Sequence, residues 1–327
     1  MSIKSVVQAI HDAMDEEMHR DPSVLVLGQD VGVRGGVFLA TDGLVDKFGS
    51  SRIIDTPLSE GLIAGMAVGL AMKGLRPIAE IQFSDFWWYA ANQIIGEASR
   101  IFYGSNGQLS IPMVVRIPYG GGIRGGLFHS QSIESYLYNT PGLKVIAPAT
   151  PFDAKGLLKS AIRDNNPVIF LEHKKTYRGV KGEIPDPEYT IPIGKADVKR
   201  RGNDITLICY GLAVHLGMEA AANLHKQGLE VEVVDLRSLL PLDKDTILGS
   251  VKKTGKVLIV HESNLTGGVG AEIAATIGEQ AFNYLDAPIM RLCGPDVPAM
   301  GYAPTLEAAY LINTEKITQA LLDLARY

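Results

Sequence analysis

The chain has 327 residues, enough for two domains that each bury a core of their own. With 46% hydrophobic and 20% charged residues it has the composition of a soluble globular protein, not of a disordered or fibrous one. Its 31 basic and 36 acidic residues leave a formal charge of −5, which gives no electrostatic footprint for nucleic acid or an anionic membrane.

In chain order, Ile3, Val6, Val7, Ile10 and Met14 recur at helical spacing, so an amphipathic helix is expected first. The acids in this opening stretch and its broken apolar pattern argue against a signal or transit peptide. No stretch reaches the length of a membrane span, and a cytoplasmic location is expected. Short apolar runs follow at 24–28, 52–55, 77–83, 113–118, 143–148 and 167–172, alternating with helical candidates at 59–73, 85–102 and 151–164. Runs apolar on both faces, alternating with helices, predict a mainly parallel sheet covered by helices. Residues 174–192 are dense in Pro, Gly and charge and read as a surface linker. Alternation resumes at 205–210, 212–227, 231–236, 244–254, 257–261, 270–282 and 289–293, ending in a helix near 314–324. The fold class is therefore α/β, with two domains, each a mainly parallel sheet flanked by helices: 1–180, a linker at 181–192, and 193–327. Cys209 and Cys293 both stand in apolar runs, as small buried strand residues would.

In open parallel sheets ligands bind at the carboxyl ends of the strands, and the unusual residues of this chain gather there. After the strand at 52–55, Ser59 reads as an N-cap and places Glu60 in the first turn of a helix rich in Gly and Ala. A glutamate there can simply complement the helix dipole, worth about 0.3–1 kcal/mol, or it can do chemistry. The next strand runs into Gln82, Asp85, Phe86, Trp87 and Trp88, aromatics that suit either a core or a flat heterocycle. The segment 120–126 holds five glycines in seven positions, so it must reach positive φ or admit a close neighbour. Without a Gly-Lys-Ser/Thr ending or Rossmann spacing it is a weak phosphate cradle. His129, at its far end, is either a proton carrier or a helix-entry residue. No Gly-x-Ser-x-Gly stands at a strand-to-helix turn, and neither cysteines nor histidines have zinc spacing, which discounts a serine hydrolase and a zinc site.

Several long strings carry a resemblance: DTPLSEGLIAGMAVGLA at 55–71, AEIQFSDF at 79–86, GGGIRGGLFHSQS at 120–132 and PGLKVIAPATPFDAKGLLKSAIRDNNPVIFLEHK at 141–174. Shorter ones are GQDV at 28–31, GGVF at 35–38 and DLRSLLPLD at 235–243. Along nearly its whole length the chain resembles the beta subunits of 2-oxoacid dehydrogenase decarboxylase components, of the transketolase-like thiamine-diphosphate family. The resemblance implies a pyrimidine-binding domain followed by a transketolase C-terminal-like domain that serves dimerisation and complex assembly. Glu60 matches the carboxylate that activates the cofactor through the pyrimidine nitrogen. To share a proton with that weakly basic ring it must be desolvated, for which the apolar neighbours Leu58, Leu62 and Ile63 are suitable. Phe86 matches the aromatic stacked on the ring, Leu58 and Gln82 its neighbours, and His129 the histidine facing the substrate and the lipoyl group. Asp30 matches an acidic residue between paired sites. Backbone carbonyls of Met113, Ala161, Ile162, Asp164 and Asn166 match a potassium site of some relatives, oxygen ligands suited to a hard cation.

The family's Gly-Asp-Gly … Asn motif for diphosphate and magnesium belongs to the alpha subunit. Here the nearest string is Thr41-Asp42-Gly43, which lacks the leading glycine. The resemblance therefore implies an alpha partner, in an α2β2 heterotetramer, with thiamine diphosphate and magnesium held mainly by that partner. A lipoyl acyltransferase would take the acyl group. Branched-chain 2-oxoacids are the expected substrates, by the look of GLFHSQSIE, with pyruvate or acetoin as the alternative. A transketolase-like half-enzyme, and a silent subunit that only anchors a partner, are the rival readings.

Overall fold

The computed structural model describes residues 1–327, which divide into two compact units: Met1–Tyr119 with Asn139–Ile193, and Gly120–Tyr138 with Gly194–Tyr327. In the first unit the chain opens with strand β1 (Ser2–Ser5), and the helix Val6–Arg20 starts only after it. Ile3 is thus a 72% exposed strand residue, not the first helical one. The cap overrides the periodicity. The Ser5 side chain accepts from the Gln8 N–H while the Gln8 side chain accepts from the Ser5 N–H, which fixes the helix start at Val6.

The sheet of this unit comprises β2 (Val24–Gly28), β3 (Ile53–Asp55), β4 (Arg76–Glu80), β5 (Val114–Tyr119), β6 (Lys144–Ile146) and β7 (Val168–His173). Their order is β6-β7-β5-β4-β2-β3 and every pairing is parallel. β2 and β5 are buried at every position, which is why they read as unbroken apolar runs. The helices Val6–Arg20 and Pro151–Arg163 pack together in one core, where Ile10, Met14, Leu157 and Leu158 are fully buried. Each such side chain contributes about 1.5–3 kcal/mol of burial. Glu16 takes Lys155 (2.6 Å) and Lys159 (2.9 Å), and Glu17 takes Arg163 (2.5 Å), which fixes the register of the two helices.

Two expectations change here. The stretch read as one helix at 85–102 is a 3-10 turn (Ser84–Phe86), a short α segment (Trp87–Ala91), a π segment (Asn92–Ala98) and a final α segment (Ser99–Gly104). The stretch read as linker holds a helical turn (Thr176–Gly179) and strand β8 (Lys181–Ile184), which pairs antiparallel with β1. Its Pro, Gly and charges hid a strand whose positions alternate between exposed and covered.

The second unit has β9 (Asp197–Arg200), β10 (Ile205–Cys209), β11 (Val231–Asp235), the short β12 (Ser238–Leu240), β13 (Val257–Asn264) and β14 (Met290–Gly294). Five of them form a sheet in the order β14-β13-β10-β11-β9, parallel except for the edge strand β9. Helices Leu212–His225, Lys244–Thr254, Val269–Ala281 and Thr314–Ala325 accompany it. Asp243 caps one and Gly255, at φ 67°, ends it. Cys209 is buried in β10, and the half-buried Cys293 lies 3.3 Å from the His261 imidazole. No helix is long and apolar enough to cross a membrane.

Candidate functional site

In the first unit, β2 and β4 are neighbours whose following segments lead away in opposite directions, to β3 and to β5. That is the switch point of an open parallel sheet, where a crevice forms at the carboxyl ends. Gln82 stands just past β4, and its amide donates to the Gln29 carbonyl just past β2 (3.1 Å), tying the two strand ends together. Asp30, at φ 59°, faces Arg34 at 3.6 Å in the same segment. Asp55, ending β3, accepts from the Gly32 N–H at 2.8 Å and closes that segment onto the sheet.

Ser59 caps the helix Glu60–Met72, its hydroxyl accepting from the Leu62 N–H at 3.4 Å. Glu60 is the first helical residue and only 8% exposed. The expected apolar neighbours divide: Ile63 is buried, whereas Leu58 and Leu62 are 71% and 47% exposed. Leu58 and Leu62 thus keep much of their apolar surface exposed within this chain. Phe86 is half-buried at the end of its 3-10 turn, edge-on to Phe83 (6.1 Å), which in turn meets Phe38 (5.6 Å). Leu58, Glu60, Gln82 and Phe86 thus come from the segments that follow β3 and β4.

Beneath them lies a group the sequence reading missed. Arg116, in the middle of β5, is fully buried and donates to Glu80 (2.6 Å) and twice to Glu172 (2.7 Å each). The Tyr177 hydroxyl donates to Glu172 at 2.5 Å. Burial alone would lower the guanidinium pKa, yet Glu172 and Glu80 hold it above its ordinary value. Burial raises Glu80 above the usual carboxylate range despite Arg116. A charged residue inside an otherwise apolar strand run was the available signal.

The glycine-rich loop belongs to the second unit, and His129 with it. Gly120, Gly122 and Gly126 adopt φ of 83°, 80° and 62°, as does Arg124 at 59°. Gly121 serves the other purpose, since a Cβ there would collide with Met300. The loop is closed by the Gly120 N–H donating to the Gln131 carbonyl at 2.9 Å. Glu262, near the end of β13, accepts from the Gly121 N–H at 2.6 Å and from Ser132 at 3.4 Å. One oxygen of Glu307 accepts from both the Gly122 N–H (3.2 Å) and the Arg124 N–H (3.0 Å). These donors, which a phosphate would need, already hold carboxylates of the same chain. Glu134 is fully buried; Tyr210 donates to it at 3.1 Å, and its other oxygen has no hydrogen-bond partner. Burial raises its pKa to about 7, and the nearby Glu262 charge adds to the rise.

The carbonyl group singled out for a potassium ion surrounds the end of the helix Pro151–Arg163. Arg76 donates to the carbonyls of Ile162 and Asp164 at 2.9 Å each, the Asp164 N–H to Ala161, and the Val168 N–H to Met113. Asn166 donates its N–H to the Asp164 carboxylate at 2.9 Å. Each of those four carbonyls already accepts one hydrogen bond, two of them from the Arg76 guanidinium, so a cation would have only their second lone pairs to use. Thr41-Asp42-Gly43 is a structural turn: Thr41 donates to the Val31 carbonyl at 2.7 Å, and Gly43 leads into the helix Leu44–Phe48.

Residues 4–180 match the transketolase pyrimidine binding domain, and residues 194–317 match the transketolase C-terminal domain. The chain is 55% identical over 327 residues to the 2-oxoisovalerate dehydrogenase subunit beta of Bacillus subtilis (strain 168), covering 100% of both. It is 48% identical over 296 residues to the pyruvate dehydrogenase E1 component subunit beta of the same organism, covering 90% of this chain and 91% of that one. A solved split-gene transketolase, described as an inactive beta4 tetramer, shares the fold with a TM-score of 0.81 at 23% identity, covering 98% of each chain.

Proposed function

The chain belongs to the family of 2-oxoacid dehydrogenase beta subunits built from transketolase pyrimidine-binding and C-terminal domains, and we propose that it serves a branched-chain 2-oxoacid. The observation that carries the substrate is full-length identity of 55% to a 2-oxoisovalerate dehydrogenase subunit, against 48% over a shorter span to a pyruvate one. The site supports the family's use of thiamine diphosphate: a buried carboxyl, an aromatic face and an anchored amide stand at the strand ends where a flat heterocycle binds.

When bound, the cofactor supplies the nucleophilic carbon that attacks the 2-oxoacid carbonyl. Glu60, 8% exposed, would hold a proton at the pyrimidine ring nitrogen. Phe86 would offer its face to the ring, with Gln82 and Leu58 as neighbours of its edge. His129 orients the substrate carboxylate and supplies a proton as the acyl group passes to the lipoyl arm of an acyltransferase. Thr41-Asp42-Gly43 is engaged in its own turn, so diphosphate and magnesium are assigned to an alpha subunit, in an α2β2 assembly. Potassium is assigned to the carbonyls of Met113, Ala161, Ile162, Asp164 and Asn166.

Reconstitution with the alpha chain tests this reading. In a dye-reduction assay 3-methyl-2-oxobutanoate should give a higher kcat/KM than pyruvate; a tenfold preference for pyruvate, about 1.4 kcal/mol in transition-state binding, would transfer the chain to the pyruvate group. Glu60→Gln should assemble normally and lose nearly all decarboxylation. Near wild-type turnover of that variant would remove Glu60 from its role.

A further inference from the structure

The resemblance gives the C-terminal domain only dimerisation and assembly, yet the loop that carries His129 is folded as part of the second unit. We propose that Glu307, together with Glu262, is a positioning residue for the reaction: its carboxylate docks the glycine loop and so sets where His129 stands. The proposal rests on the reading of His129 given above.

Glycines give this loop its sharp turns and, by the same freedom, no conformation of its own. Four residues at positive φ within seven positions need outside contacts to be held. Three of the loop's N–H groups receive them from two carboxylates. Glu307 binds the Gly122 and Arg124 N–H groups on either side of Ile123, and Glu262 binds Gly121. Successive N–H groups converging in this way form a concavity for an anion, and charge-assisted bonds are about twice as strong as neutral ones. The two carboxylates reach the loop from separate places in the unit, the end of β13 and the short helix Pro304–Tyr310. Met300 and Leu311, flanking that helix, pack over Gly121, so a side chain there would have to displace the Met300 thioether. From Arg124 the chain needs only Gly125 and the 3-10 turn Gly126–Phe128 to reach His129. Gly125 packs against the His129 backbone, where a Cβ would clash, which makes the clamped stretch and the histidine one body. A shift of the clamp is therefore passed on to the imidazole.

The test uses the complex reconstituted with the alpha chain and a lipoylated domain. Glu307→Ala should lower lipoyl-dependent acyl transfer by about tenfold or more, as misplacement by an ångström does, and lower dye-coupled decarboxylation less. It should also speed tryptic cleavage after Arg124, read by mass spectrometry, because the exposed Arg124 loses its backbone anchor. Glu307→Gln keeps an oxygen acceptor and should recover most of both properties, which a purely global defect would not allow. Should Glu307→Ala fail to assemble, Glu307→Gln and Glu262→Gln carry the test, each with a smaller change of the same sign. His129→Ala separates the two claims. If it loses transfer while the Glu307 variants keep wild-type transfer and wild-type cleavage, the clamp is wrong. If His129→Ala transfers normally, the reading of His129 fails, and accelerated cleavage in Glu307→Ala alone still supports docking.

Discussion

Buried carboxylates occur in both units, and two groups of them are held in opposite ways. In the first, Glu80 and Glu172 share the Arg116 guanidinium through three bonds of 2.6–2.7 Å. In the second, Glu134 meets a tyrosine hydroxyl on one oxygen and nothing on the other, with the Glu262 charge close by. The buried guanidinium ties β5 to β4 and β7, two residues before Gln82. Neutral donors leave a carboxyl that titrates near neutrality, next to the loop of His129. One arrangement suits a fixed floor for a ring, the other a segment whose hold depends on conditions.

Removing the cation is the severest way to break the contrast. Arg116→Met strands two carboxylates in a dry interior and should cost about 3–5 kcal/mol in urea-induced unfolding, as breaking a buried pair does. A loss below about 1 kcal/mol, the scale of an exposed pair, would show that the guanidinium does not compensate them.

The second unit makes a prediction in pH. Glu134 has its folded pKa raised to about 7 from an ordinary 4.5, so the native state binds the proton more tightly than the unfolded chain. Its contribution is fully present below pH 4.5 and is lost as pH rises through 7, a change of about 3 kcal/mol for a shift of this size. Glu134→Gln should abolish that decline and be the more stable protein at pH 8. An unchanged slope in Glu134→Gln between pH 4.5 and 7 would assign it to other groups. His261 pulls the other way: burial lowers its pKa to about 4, so its contribution is lost as pH falls from 6.5 towards 4. Measurements between pH 6.5 and 8 isolate Glu134 best.

The same contrast shows what could be read from the sequence. β2 and the helix Lys244–Thr254 fall where the alternation of runs places them, and the structure supplies local reasons: burial on both faces, and an Asp cap with a closing glycine. The glycine loop announced its positive φ by composition. Glu60, Gln82 and Phe86 look ordinary one by one, and only the surrounding strings gave them a role. Glu307 left no trace, since its partners Gly122 and Arg124 lie more than 180 residues away in the chain. Arg116 was visible as a charge in an apolar strand, but its two partners come from β4 and β7, and pairing across a sheet has no sequence period.

The mildest perturbation sharpens the comparison most. Tyr210 donates to Glu134, and this bond favours the ionised form against the burial that opposes it. Tyr210→Phe removes one hydroxyl and should cost about 1 kcal/mol when Glu134 is ionised and less when it is protonated, since a neutral pair bonds more weakly. Its cost therefore grows with pH through 7, and the midpoint of the pH–Tm curve moves upward. In a Glu134→Gln background the partner no longer titrates, so the cost of Tyr210→Phe becomes the same at pH 5 and pH 8. A double-mutant cycle at the two pH values isolates this coupling from changes in packing. A coupling independent of pH would mean that Tyr210 and Glu134 do not share the titrating proton.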